Sequence, residues 1–259
     1  MLKRLVGLVL ILQSFACSLA FAEKVEVKVG GYLFPPFIEI KGKDISGLTL
    51  DLIELFNQQQ TQYHFTFTPT SPNRRYSDFE RGVFDAIFFE NINWSWDKYN
   101  IEASHVFLTG GEVFFTHNIQ NRSKDFFDDI THKSIVAILG YHYQFLDNIT
   151  DTKILKKKFN IKLVNSPLTV INQVVNDKTE IGIATYSYLQ RQMKLNPNLR
   201  EALLINDEFD QHYEHTILIR KNHRLSVKQI NLLLEKIQGN GTLKSLLAKY
   251  GLASQYTAN

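Results

Sequence analysis

The chain alternates between two hydrophobic periods, and this alternation constrains its fold more than any other feature. Residues 25–29 (Val-Glu-Val-Lys-Val) alternate apolar and polar, the period of a strand, and stop at Gly30-Gly31. Residues 48–60 carry apolar side chains at 48, 52, 55 and 56, the stripe of a helix. Residues 63–68 alternate aromatic and polar up to Pro69. Residues 73–81 read as a helix closed by Gly82, and 85–89 as a short buried strand. The order β-α-β-α-β requires right-handed crossovers and a largely parallel sheet.

A second unit of the same kind follows. Residues 91–105 are polar-aromatic and irregular, with Trp94, Trp96 and Tyr99; Gly110-Gly111 then leads into a strand at 112–116. After a charged patch at 122–129, a strand at 134–139 stops at Gly140 and residues 141–146 start a helix. Strands at 161–164 and 181–184 flank a helix over 169–175, and another strand covers 216–219. Ser226 caps a helix with the stripe Val227, Ile230, Leu233, Leu234 and Ile237; Gly239-Asn240-Gly241 turns the chain into a last helix, 242–250. Segment 79–85 echoes segment 174–180: each is helix, tight turn and acid before a buried strand. Two similar α/β units fit two lobes with a cleft between them.

Phe34-Pro35-Pro36-Phe37 follows the first strand. Two prolines fix two φ angles and push Phe34 out of the helical region. Phe34 and Phe37, with Tyr32 beside them, are thus held on a stiff loop at a strand tip, where small ligands sit in open α/β sheets. The same aromatics would equally serve as core beside a rigid turn.

The chain has 259 residues, 44% hydrophobic and 21% charged, enough for one large domain or two lobes. Its first 22 residues differ: Lys3 and Arg4 precede an apolar run, and Ala20-Phe21-Ala22 offers the small residues a signal peptidase reads. This is the pattern of a secretory signal peptide, too short for a membrane anchor, so the mature chain is expected in the periplasm. Lys3 and Arg4 leave with it, which brings 29 basic residues to 27 against 26 acids, a net charge of +1. With no basic block interleaved with aromatics, nucleic acid is not an expected partner. The single cysteine, Cys17, lies in the leader, so the mature chain is expected to hold no disulfide, cysteine–metal or cysteine-nucleophile chemistry. A lipidated Cys17 is the alternative, but Ser14 stands where an aliphatic residue belongs. His212-Tyr213-Glu214-His215 lacks the helical spacing of zinc motifs, and neither metal nor cofactor is expected.

Taken in order, these segments resemble the family-3 extracellular solute-binding proteins, the periplasmic partners of amino-acid ABC importers. The resemblance rests on Phe34-Pro35-Pro36-Phe37, Gly47-Leu48-Thr49-Leu50-Asp51-Leu52 and Gly82-Val83-Phe84-Asp85-Ala86-Ile87. It continues through Ile138-Leu139-Gly140 and from Gly241-Thr242-Leu243 to Lys249-Tyr250-Gly251. It implies an α/β, two-lobed, type II periplasmic-binding-protein-like fold, each lobe a mixed, mostly parallel sheet flanked by helices. Lobe 1 would cover 23–112 and 217–259 and lobe 2 113–216, with hinge strands near 113–116 and 212–216. It further implies a monomer that is not an enzyme, captures a small-molecule solute and presents it to an ABC permease or a membrane sensor.

The chain departs from that family at the residues that choose the ligand. Members that bind α-amino acids carry an arginine shortly after the 85–89 strand, where spacing puts Asp97; Glu90 and Trp94 replace small residues. The aspartate that takes the ammonium in the second lobe is replaced by Thr185. A zwitterion buried without counter-charges is costly, so the expected ligand is a small polar solute other than a plain α-amino acid, either amino-acid-like or a related amine-bearing or aromatic compound. Arg74, after Pro72, is the candidate for a two-pronged carboxylate contact, although Arg75 could equally face inward. Glu90 is a candidate cation or hydroxyl acceptor, and Trp94 and Trp96, two apart, would share a face in an extended segment. Tyr141 follows Gly140 at a strand–helix junction whose free N–H groups favour anions, with His142 partly exposed next to it. Thr185 and Tyr186 would add hydroxyl contacts. A dehydratase on the same fold would need a general acid from Glu90, His142 or Asp97, and nothing in the sequence pairs them.

Overall fold

The computed structural model describes residues 23–256; the leader and Cys17 lie outside them. The first unit runs β1 (Val25–Gly31), β2 (Glu39–Lys41), β3 (Asp44–Ser46), α1 (Leu48–Gln59), β4 (Tyr63–Pro69), α2 (Arg75–Glu80) and β5 (Ala86–Glu90). Then come β6 (Ile101–Ala103) and β7 (Leu108–His117). The second unit runs β8 (Ile135–Ile138), α3 (Thr152–Lys158), β9 (Ile161–Val164), α4 (Pro167–Val175), β10 (Ile181–Thr185), α5 (Tyr186–Leu195) and α6 (Pro197–Ala202). β11 (Leu203–Arg220), α7 (Val227–Gly239) and α8 (Thr242–Lys249) finish the chain. No helix among the described residues is long and apolar enough to cross a membrane.

The sheet order is β4-β1-β5-β11-β7-β10-β8-β9, with β6 on β11. β1 lies parallel to β4 and β5, and β8 parallel to β9 and β10. Numbered within its own unit, each triplet has the strand order 2-1-3, so the sequence echo is a repeat of topology. The two echoed acids also repeat a role. The Asp85 carboxylate accepts from the Lys28 N–H in β1 at 2.9 Å, and Glu180 accepts from the Ser134 N–H before β8 at 2.8 Å. Each acid tethers the third strand of its unit to the first.

The expected mixed, mostly parallel arrangement is present: strands are parallel within each triplet and antiparallel where β7 and β11 join them. β11 runs antiparallel to both β5 and β7, and β7 antiparallel to β10. The two short strands expected near 212–219 are one 18-residue strand, which at about 3.3 Å per residue reaches some 60 Å. Register shifts on either side of Phe209, after polar Asn206-Asp207-Glu208, break its alternation and conceal its length in the sequence.

One apolar cluster underlies the first triplet, α1, α7 and α8. In the second unit alternate residues go to opposite faces. Val136 and Ile138 of β8 join Val113 and Phe115 under α4 and α5, while Ile135 and Ala137 join Phe114, Ile181 and Ile183 on the other side. Both faces are covered, so β8 is buried throughout.

Local chemistry accounts for the other boundaries. Ser226 caps α7 in a full capping box with Gln229, as its position suggested. α3, α5 and α6 had no clear stripe: α3 is lysine-rich and buries only Leu155, and α6 buries nothing. Residues 141–146 form only a 3₁₀ turn, Gln144–Leu146, whose Gln144 and Phe145 N–H groups donate to Asp210. The proline loop docks onto α1: the Pro36 and Phe37 carbonyls accept from the Leu48 and Thr49 N–H groups at 3.1 and 3.0 Å. Gly47 between them sits at φ 128°, and a Cβ there would strike the Phe37 carbonyl.

Candidate functional site

The carboxyl ends of β1, β5 and β8 and the middle of β7 converge on one cavity. It is lined by Tyr32, Phe34, Arg75, Trp94, Glu112, Tyr141 and His142. Its volume is about 10 Å³, room for roughly one water. The first four residues come from the first unit and the last two from the second; Glu112 is on β7.

Phe34 is the centre of the aromatic wall. Its ring lies 6.0 Å from Tyr32, 5.4 Å from Tyr141 and 5.9 Å from Trp94. Phe37 does not line the cavity. It stands behind Phe34 at 4.8 Å, stacked on Phe89 and against His215, and is a supporting core residue. Tyr141 packs against all three apolar clusters, and its hydroxyl donates to the Leu33 carbonyl at 2.7 Å, tying the second unit to the proline loop.

The arginine of the site is Arg75, not Arg74. Arg74 precedes α2, is exposed, and contacts Ser71. One residue further the helix turns about 100°, and Arg75 is 1% exposed. Its Nε lies 3.4 Å from Glu90 Oε2, and its other nitrogens reach the Pro72 carbonyl, the Gly140 carbonyl at 3.3 Å and His142 Nδ1 at 3.2 Å. Its guanidinium carbon lies over the Tyr32 and Tyr76 rings, 5.0 and 4.4 Å from their centroids. Burial works against the Arg75 charge, yet Tyr32 and Glu90 outweigh it and the guanidinium stays protonated. Burial pushes the Glu90 carboxyl above its usual range, opposed by Arg75 and by bonds from Tyr32 and Trp96. Gly140 adopts φ +80°, and a Cβ there would collide with Asn73 and Pro72, so glycine lets the end of β8 close onto the loop before α2.

Glu90 is aimed inward by a bulge. Thr216 pairs with Glu90 and Ile217 with Phe88, which leaves Phe89 as the extra residue, at φ 60°. His215 Nδ1 meets the freed Phe89 carbonyl at 2.9 Å. Trp94 and Trp96 do not share a face, because the segment turns at Ser95 (φ 62°) into a 3₁₀ turn rather than running extended. Trp94 faces the cavity and Tyr213; Trp96 packs on Tyr76 and Phe79 and donates to Glu90 at 2.5 Å. Asp97, next on that turn, points outward and is exposed.

His142 is buried rather than partly exposed. Burial, with Arg75 and Lys98, lowers its pKa to about 3, so the imidazole is neutral. Arg75 can only donate, which makes Nδ1 the acceptor and leaves Nε2–H to face Ser95 Oγ at 3.3 Å. Glu90 and His142 both meet Arg75, while Asp97 is exposed and apart from them.

The sequence reading missed Glu112. It is 2% exposed, and its Oε1 accepts from the Thr185 hydroxyl at 3.0 Å and the Tyr213 hydroxyl at 3.5 Å. Its Oε2 has no partner. Burial raises its pKa to about 8, with Asp210 adding to the effect and Thr185 and Tyr213 opposing it. Thr185 thus serves the carboxylate and does not line the cavity. Tyr186 begins α5 and packs on Phe209 at 5.3 Å, away from it. The only signal for Glu112 was an acid on a predicted strand beside Gly110-Gly111.

The sequence model for bacterial extracellular solute-binding proteins, family 3, matches residues 27–253. Among curated protein sequences none matches significantly. Solved structures share the fold. A substrate-binding protein of an ABC uptake transporter from Streptococcus pneumoniae with bound histidine is 14% identical over 90% of this chain and 95% of that one, with a TM-score of 0.73. An ancestral arginine-binding protein bound to arginine is 17% identical over 88% and 98%, TM-score 0.66. The GluR0 ligand-binding core from Nostoc punctiforme in complex with L-glutamate is 17% identical over 86% and 98%, TM-score 0.67. The architecture is that of the type II periplasmic-binding-protein-like folds, as expected from the resemblance.

Proposed function

Because the chain belongs to the bacterial extracellular solute-binding proteins of family 3, we propose that it captures a small polar solute between two lobes in the periplasm and delivers it to the permease of an ABC importer. The lobes are 23–112 with 217–259, and 113–216, and β7 and β11 are the hinge strands between them. The observation that carries the reading is a single cavity walled from both units and crossed by bonds from Arg75 to Gly140 and His142 and from Tyr141 to Leu33. A cavity of about 10 Å³ admits no organic solute until the lobes part, so capture is an opening and closing. The solute then stabilises whichever spacing of the lobes it binds better. Tyr32, Phe34, Trp94 and Tyr141 supply the wall, and Glu90 works through Arg75.

Thermal melting of the mature chain against a metabolite panel tests capture. A ligand at a hundred times its Kd adds about 2.7 kcal/mol, which raises Tm by roughly 5–11 °C for a chain of this size. A panel in which no small polar solute moves the transition overturns the reading. Vesicle uptake of the identified solute that depends on the added protein tests delivery.

A further inference from the structure

We infer that the solute is a small ammonium compound without a carboxylate, its cation held by Glu112 inside the ring of Tyr32, Phe34, Trp94 and Tyr141. This rests on the solute-capture reading and narrows it to one chemical class.

The polar groups of the cavity are unequally engaged. Arg75 is the only cationic side chain among the described residues that line it, and its charge is already paired: Nε makes no hydrogen bond but lies 3.4 Å from the Glu90 carboxylate, and its two terminal nitrogens are engaged. Its nitrogens face Glu90, Pro72, Gly140 and His142, and its guanidinium lies over the Tyr32 and Tyr76 rings. A ligand carboxylate would have to displace Glu90 from it, leaving a buried acid unpaired. Glu112 is in the opposite condition. One oxygen is held by Thr185 and Tyr213, and the other is buried without a partner. A buried carboxyl oxygen that lacks a partner becomes, once its proton is released, the natural seat of an N–H or a cation. Four aromatic rings line the same cavity, a lining that suits a cation better than a neutral donor. The Trp94 indole N–H is also without a partner, so a hydroxyl on the same ligand would find a donor.

The position of the acid agrees with this. Thr185 and Glu112 are register partners on β10 and β7, so the acid stands beside the carboxyl end of β10, on the edge where the second unit meets the cavity.

Groups facing Glu112 also set a signature in pH. Thr185 from β10, Tyr213 and Asp210 from β11, Tyr141 and Tyr143 from the segment after β8, and Arg75 from α2 surround it. With burial holding its pKa at about 8, the empty site is mostly protonated at pH 7. The ammonium keeps its proton, and the carboxyl releases one to solvent as the ion pair forms. Affinity then falls about tenfold from pH 7 to pH 6.

Isothermal titration of the mature chain with matched pairs tests the inference: ethanolamine against serine, and phenethylamine against phenylalanine. The amine of at least one pair binds tenfold or more tighter than its amino acid. Its heat at pH 7 differs between phosphate and Tris by close to one proton's worth of buffer ionisation. E112Q, its fold checked by circular dichroism, weakens that amine tenfold or more; should E112Q not fold, the buffer-dependent heat of the natural chain decides. An amino acid that binds as well as its amine overturns the inference and leaves solute capture standing. Silence from every pair overturns the inference too, and the broader metabolite panel then decides whether capture itself survives.

Discussion

Glu112→Gln replaces a titrating buried group by a neutral one of nearly the same shape, and its effect on stability depends on pH in a calculable way. The carboxyl titrates at 4.5 ordinarily and at about 8 in the folded chain, raised chiefly by burial. The folded state therefore binds this proton more tightly than the unfolded state. Below 4.5 both are protonated and nothing is lost; as pH rises from there to 8, folding is progressively weakened, and above 8 the loss is complete. At 1.36 kcal/mol per pH unit, the loss is about 3 kcal/mol at pH 7 and about 5 kcal/mol above pH 8. Glutamine has no such loss. The variant minus the natural chain should be near zero at pH 4.5 and about 3 kcal/mol more stable at pH 7, a rise in Tm of roughly 6–12 °C. Urea unfolding of both chains at pH 5, 6, 7 and 8 measures the difference. The contribution from Glu90, also raised by burial, cancels between the two chains, and that of Asp210, whose charge helps to raise the Glu112 carboxyl, cancels in part. A difference that stays constant over this range, or shrinks as pH rises, refutes the argument.

Two further perturbations separate the roles of Arg75 and Tyr141. Arg75→Met strips a 1%-exposed carboxylate, Glu90, of its cation and should cost about 3–5 kcal/mol at pH 7 by urea unfolding. The cost should shrink as pH falls, because burial raises the Glu90 carboxyl and protonation removes the unpaired charge; an equal cost at pH 7 and pH 5 counts against a buried ion pair. Tyr141→Phe removes the bond to the Leu33 carbonyl, worth about 0.5–1.5 kcal/mol, and should shift the lobes roughly twofold to tenfold toward open. Energy transfer between dyes on the two lobes reads this, and an unchanged distance distribution would show that the bond does not govern closure.

Much of the wall was legible because its residues are punctuated locally. Tyr32, Phe34 and Trp94 sit beside prolines and turn signals that any reading of the chain meets. The polar half was not, because neighbouring residues compete for one direction. Arg74 and Arg75 are chemically alike, and only the rotation of α2 decides which enters. In the same way Trp96 enters at a tight turn and sends Asp97 out. Thr185 looked like a ligand contact because its partner lies 73 residues away on another strand.

The sequence by itself determined the alternation of strands and helices, the repeated unit, the Ser226 cap and the stiff loop at Pro35-Pro36. These follow from side-chain period and backbone restriction within a few residues. Only the tertiary structure decided that β11 joins both triplets, that Arg75 is bound by its own protein, and that Glu112 keeps one oxygen free. Each of those depends on pairing between segments distant in the chain, and a local pattern carries no record of its partner.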